Sequence, residues 1–202
     1  MFVICSDLEG VLIPEVWISL AEKAGIPELQ RTTRDEPNYD ILMQYRLKIL
    51  DEHKITLKDI QNVIRQMPLF EGAAEFVREM REKYTFIIVS DTFRQFAGPF
   101  LEKMDYPTLL CHELVVDEMN HITGYALRQQ NAKLITAQAF HSMNYQVISF
   151  GDSYNDIDML KESEAGILFR PPQKVADEFP QFPVVTSYID LRAEIEKAIE
   201  RL

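Results

Sequence analysis

Four short apolar runs constrain this chain most: FVICS (2–6), TFIIVS (85–90), QVISF (146–150) and GILF (166–169). None alternates apolar with polar residues, so each reads as a strand buried on both faces. Stretches with helical apolar spacing lie between them, at 73–84, 93–104 and 131–143, and a last one at 190–201. Buried strands alternating with helices predict an α/β fold, a doubly wound parallel sheet with helices on both faces. LLCHELVVD (109–117) and HITGYALR (121–128) flank a short polar turn and read as a β-excursion. Gly98-Pro99 predicts that the helix at 93–104 is interrupted or starts late.

One segment breaks the alternation. Residues 15–25 and 39–53 have helical spacing, and QRTTRDEPN (30–38) between them reads as a loop. Thr56 is a candidate N-cap, with Asp59 in the capping-box position, for a helix that runs to Met67 before Pro68. These helices stand between the first and second core strands. The predicted organisation is a core of 1–13 and 71–202 with an inserted helical cap at 14–70.

The chain has 202 residues, 47% of them hydrophobic, so one substantial core with an insert is within reach. A net charge of −11 argues against non-specific nucleic-acid binding and against docking on an anionic membrane. No apolar run reaches the roughly 18 residues that a membrane span needs. The start, MFVICSDLEG, lacks a basic region and turns acidic, so it is not expected to be a signal peptide. Cys5 and Cys111 lie in separate strand-like runs without a CxxC, which predicts buried free thiols and a reducing, cytoplasmic setting.

The chemistry gathers at the ends of the strands. The first leads into Asp7 and Glu9, the second into Ser90, and QVISF into Gly151-Asp152, with Asp156 four residues on. Residues two apart on a strand share a face, so Asp7 and Glu9 are expected to point at one ligand. Crowded carboxylates resist ionising together, and a divalent cation removes that conflict. Oxygen ligands suit Mg²⁺. HExxH and Cys/His clusters are absent, which argues against zinc. His53, His112, His121 and His141 are scattered and receive surface or core roles.

D-L-E-G at 7–10, Ser90 at a strand end, Lys133 in a later helix and G-D-S-Y-N-D at 151–156 together resemble the four motifs of the haloacid dehalogenase superfamily of phosphohydrolases. The resemblance covers essentially the whole chain, and the helical insert is similar to the C1 cap of its phosphoserine phosphatases. RLKILDEH, SDTF, PTLLCH, GDSYND and EFPQFP are similar to a bacterial branch that also transfers the phosphoryl group from phosphoserine to homoserine. Most members carry Asp-x-Asp in the first motif. This chain has Asp7-Leu8-Glu9, as that branch does.

The resemblance implies roles. Asp7 would be the nucleophile that forms an aspartyl-phosphate, and Glu9 the general acid/base. Mg²⁺ would be held by Asp7, Asp152 and the backbone carbonyl of Glu9, with Asp156 behind them. Ser90, Asp91, Lys133 and Asn155 would bind substrate. From the cap, Glu15 would take the ammonium and Arg46 the carboxylate. The implied partners are L-phosphoserine and L-homoserine, with no nucleic acid and no membrane; a homodimer stays open. A phosphatase for another small phosphoester is the alternative. A receiver-like signalling domain also phosphorylates an aspartate, but that residue ends its third strand and the domain needs only about half this length.

Overall fold

The structure, a computed structural model, describes residues 1–32, 35–36 and 38–202. Positions 33, 34 and 37 of the predicted loop at 30–38 lie outside the described residues.

Strand β1 (Phe2–Ser6) is the centre of a seven-stranded sheet. The others are β2 (Thr85–Phe93), β3 (Thr108–Val116), β4 (Ile122–Ala126), β5 (Gln146–Gly151), β6 (Ala165–Phe169) and β7 (Val184–Val185). Their order is β4-β3-β2-β1-β5-β6-β7. All neighbours are parallel except the β3–β4 hairpin. The chain moves from β1 to one side through β4, then crosses back to place β5 on β1's other side. The order therefore reverses between β1 and β5, where open α/β sheets hold their ligands beyond the carboxyl ends of the strands.

Both faces of β1 are buried in different layers. Ile4 belongs to the large apolar cluster that includes Phe76, Phe86, Phe150 and Ile195. Val3 and Cys5 join Val89, Ala137, Phe140, Val147 and Met159 on the opposite face. That alternation is why a continuous apolar run was needed. The first layer uses α4 (Ala73–Lys83) and α9 (Tyr188–Arg201). The second uses α6 (Ala132–Ser142) and α7 (Ile157–Glu162). A short α8 (Gln173–Glu178) precedes β7.

The interposed helices are α1 (Val16–Ala24), α2 (Tyr39–Glu52) and α3 (Leu57–Gln66), with a 3-10 turn at Pro27–Gln30. Thr56 and Asp59 form the expected reciprocal capping box. The Phe70 N–H donates to the Leu12 carbonyl at 3.0 Å, so the points where the chain leaves the sheet and returns to it are side by side. The apolar interior of these helices, with Leu20, Met43, Ile60 and Ile64, runs on into the core cluster without a break. Trp17 on α1 meets Phe96 on α5 (Arg94–Glu102) edge-on at 5.5 Å.

Several expectations are corrected. The helix at α5 runs through Gly98-Pro99 unbroken. Pro99 cannot donate to the carbonyl four residues back, that of Gln95. That carbonyl instead accepts from Gln61 Nε2 of α3 at 2.9 Å, and the missing bond is replaced from the neighbouring helix. Cys111 is only partly buried, because β3 lies next to the edge hairpin; Cys5 is buried, and both thiols are free. β1 ends at Ser6, so Asp7 and Glu9 are not on a strand. Asp7 N–H still bonds the Phe150 carbonyl at 3.0 Å, but the chain then turns, with Leu12 and Ile13 N–H both returning to Leu8 O.

The second strand also differs. It continues past Ser90 to Phe93, and a bulge interrupts it. Val89 pairs with Leu110 and Phe93 with His112, so β2 advances four residues while β3 advances two. The extra residues lie within Ser90–Thr92. A bulge re-aims side chains, here at the carboxyl edge of the sheet.

Candidate active site

Asp7, Lys133 and Asp156 form a buried chain of charge. Lys133, near the start of α6, places Nζ 3.0 Å from Asp7 Oδ2 and 2.6 Å from Asp156 Oδ1. The second Asp156 oxygen accepts the N–H groups of Asp152 at 3.1 Å and Ser153 at 3.0 Å. Asp7 Oδ1 accepts from its neighbour's N–H, that of Leu8, at 2.7 Å. One carboxylate oxygen from each of Asp7, Asp152 and Asp156 lies within 4.8 Å of the others, and all three residues are buried.

The electrostatics are those of a site short of positive charge. Burial, and then the nearby Asp156, push the Asp7 carboxyl well above its usual range, against the pull of Lys133. Burial alone would lower Lys133, but Asp156, Asp7 and Asp91 outweigh it and raise it. A divalent cation fits this set: three hard oxygen donors converge, and their mutual repulsion is what a cation relieves.

Two glycines make the convergence sterically feasible. Gly10 has φ +79°, and a Cβ there would sit 2.5 Å from Cγ of Asp152. A Cβ on Gly151 would sit 2.1 Å from Cγ of Asp156. Any side chain at either position displaces a carboxylate.

A cavity of about 780 Å³ opens beside this cluster. Asp7, Glu9, Glu15, Arg46, Ser90, Asp91, Lys133 and Asn155 all line it. Asp152 and Asp156 are buried behind the lining. Asp7 and Glu9 reach this cavity by a turn and not by the expected strand alternation, and they have different surroundings. Glu9 Oε2 accepts the Val16 N–H at 2.9 Å, which caps the start of α1. Burial, reinforced by Glu15, pushes the Glu9 carboxyl up to about 7, although Val16, Thr92 and Arg46 pull it down.

Arg46 is 6% exposed, not a surface-paired helix residue. Its guanidinium carbon lies 4.5 Å from the Trp17 ring centre, and Nη2 donates to the Arg31 carbonyl at 3.0 Å. Its buried Nε has no partner among the described residues. Burial lowers the group to about 10, still a cation at neutral pH. An arginine with donors to spare, facing a cavity, suits a carboxylate.

Ser90 Oγ accepts the Thr92 N–H at 3.2 Å, which leaves its own proton free to donate. Asp91 Oδ2 accepts from Asn155 Nδ2 at 2.9 Å. Burial would raise the Asp91 carboxyl, but Lys133, followed by His112 and Asn155, holds it below the usual carboxylate range. Three residues at the cavity were not singled out from the sequence. Thr92 pulls the Glu9 carboxyl down. Tyr39 OH donates to the Asp91 carbonyl at 3.3 Å. His112 reaches Asp91 at 3.5 Å. The available signal was position: Thr92 and His112 fall in the SDTF and PTLLCH stretches.

A family model described as haloacid dehalogenase-like hydrolase matches residues 8–161. The chain belongs to that family. As a haloacid dehalogenase-like hydrolase, it is 52% identical over 201 residues to "Phosphoserine phosphatase ThrH" of Pseudomonas aeruginosa, covering 100% of this chain and 98% of that protein. It is 51% identical over 197 residues to "Phosphoserine phosphatase" of Pseudomonas syringae pv. tomato, covering 98% of this chain and 83% of that one. Its fold matches a substrate-bound phosphoserine phosphatase complex with TM-score 0.78 at 19% identity, over 96% of this chain and 97% of the other. Within the family fold, the cluster of Asp7, Lys133 and Asp156 stands at the carboxyl edge of β1 and β5, where the strand order reverses.

Proposed function

We propose that this protein is a Mg²⁺-dependent phosphoserine phosphatase that also passes the phosphoryl group from phosphoserine to homoserine. The observation that carries the reading is that one cavity is lined by both sets of groups a phosphorylated amino acid needs. The paired Asp7 and Lys133, with Ser90 in the same lining, suit a phosphoryl group, while Glu15 just before α1 and Arg46 on α2 suit an ammonium and a carboxylate. In this reading residues 14–70 are the cap and the rest is the catalytic core. The curated relatives' names support phosphoserine as the substrate.

Asp7 attacks phosphorus, forming an acyl-phosphate bond as the serine ester bond breaks. Glu9 gives its proton to the departing serine oxygen, and its carboxyl, pushed up to about 7, is protonated in a substantial fraction of molecules around neutral pH, so it can serve as acid and then as base. The Lys133 ammonium and the Ser90 hydroxyl donate to phosphoryl oxygens. Glu9 then removes a proton from the acceptor, water or homoserine, which attacks phosphorus and releases Asp7. Homoserine presents the same ammonium and carboxylate as serine, with one further methylene. Asp7, Asp152 and the Glu9 carbonyl would hold Mg²⁺, while Asp156, already engaged by Lys133 and two N–H groups, supports them. A bound cation supplies the charge that keeps these carboxylates ionised together beside a phosphate. The reading carries with it a cytoplasmic role in serine and threonine synthesis.

The test is phosphate release from O-phospho-L-serine with and without Mg²⁺, alongside phosphohomoserine formation on adding L-homoserine. Turnover of both kinds supports the reading. Phosphate without phosphohomoserine removes the transfer activity, and no turnover of phosphoserine removes the reading.

A further inference from the structure

The bulge that carries Ser90 also brings a histidine to the cavity, and the steps above give it no role. His112 on β3 is 4% exposed. Tyr39 packs edge-on against its ring at 6.4 Å, and Phe93 lies at the same distance. His112 Nδ1 accepts the Arg128 backbone N–H at 3.1 Å. The hydrogen-bond network thereby assigns the ring proton to Nε2. Nε2 faces Asp91 Oδ1 at 3.5 Å.

Asp91 is thus flanked at both oxygens, by the His112 ring 3.5 Å from Oδ1 and by the Asn155 hydrogen bond at Oδ2. A carboxylate oxygen accepts more than one bond, so each keeps capacity for a ligand. Tyr39 fixes the same residue's main chain through its carbonyl. The Asp91 side chain is 34% exposed, and Asp91 lines the cavity. A fixed carboxylate there attracts a cation and repels an anion, and discrimination comes from both effects.

We propose that His112 is a positioning residue that aims the Asp91 carboxylate at the ammonium group of a zwitterionic phosphoester, and so selects against phosphoesters whose other end is only anionic. This rests on the phosphoserine reading above. Glu15 and Asp91 then share recognition of the ammonium. The nearby Arg46 separates the roles, because it answers to the carboxylate and not to the ammonium.

The experiment compares kcat/KM for O-phospho-L-serine with that for phosphoglycolate, which has a phosphate and a carboxylate but no ammonium. Where phosphoglycolate is not turned over, its inhibition constant replaces its kcat/KM. His112→Ala lowers the preference for phosphoserine by about tenfold or more, the scale of a lost charged hydrogen bond. Asp91→Asn does the same, and being nearly isosteric it carries the test if His112→Ala does not fold. His112→Gln, whose amide nitrogen reaches the place of Nε2, retains most of the preference. An unchanged preference in Asp91→Asn, or equal losses on both substrates in His112→Ala, overturns the assignment while leaving the phosphoserine reading standing. No phosphoserine turnover by the unmodified protein overturns both.

Discussion

Lys133 Nζ lies 3.0 Å from Asp7 Oδ2, and both side chains are about 95% buried. Breaking such a pair leaves a largely buried charge without its partner at the wall of the cavity. Lys133→Met is therefore predicted to destabilise the metal-free fold by about 3–5 kcal/mol, as for other broken buried pairs. Denaturant unfolding measures this, and a change within experimental error would show that the pair does not hold the site together.

Arg46→Ala is predicted to discriminate between substrates. Its kcat/KM for phosphoserine falls by the equivalent of about 1.5–3 kcal/mol, roughly ten- to a hundredfold. Phosphoethanolamine, which has the ammonium but no carboxylate, loses far less. Equal losses on both would mean that Arg46 serves only to pack against Trp17 and to hold the Arg31 carbonyl.

Gly10→Ala tests the geometry of the carboxylates without replacing one. The new Cβ meets the Asp152 carboxylate at 2.5 Å, and the backbone stays in the left-handed region, which disfavours alanine by about 1–2 kcal/mol. Divalent-cation affinity, read by calorimetric titration, is predicted to weaken by at least about tenfold. Wild-type affinity would show that Asp152 is not held where the cluster needs it.

The sheet and most of its helices were legible because period and length suffice for buried strands. Residues that share the cavity could be named from the sequence, but their geometry could not. Asp7 and Glu9 reach the same cavity through a turn stabilised by Leu8, Leu12 and Ile13 main-chain bonds, which no side-chain pattern encodes. The continuous α5 depends on Gln61, 34 positions before Gln95, replacing the bond Pro99 cannot make. His112 was passed over because a lone histidine in an apolar run looks like core. Its meaning comes from the bulge that sets it against Asp91.

Glu164 offers a pH test away from the catalytic centre. It accepts the Val147 N–H at 2.6 Å and meets His141 Nε2 at 3.1 Å. Partial burial would raise its carboxyl, but the Val147 and His141 bonds outweigh that and lower it. A carboxyl depressed by folding contributes stability that is full above its ordinary value of 4.5 and is lost as pH falls through its folded value. Glu164→Gln is predicted to be less stable than the unmodified protein at pH 7, with the gap closing in acid. A gap that stays constant with pH would contradict this.

The central claim is that Asp7 carries the phosphoryl group. The most direct measurement is to quench the protein during turnover of O-phospho-L-serine with Mg²⁺, reduce with borohydride, and locate the modified residue by mass spectrometry. An acyl phosphate on Asp7 is reduced to the alcohol, so the account predicts a homoserine at position 7 and nowhere else. Asp7→Asn is predicted to yield neither the mark nor phosphate release. A reduced residue elsewhere, or sustained turnover by Asp7→Asn without deamidation back to aspartate, would contradict the account.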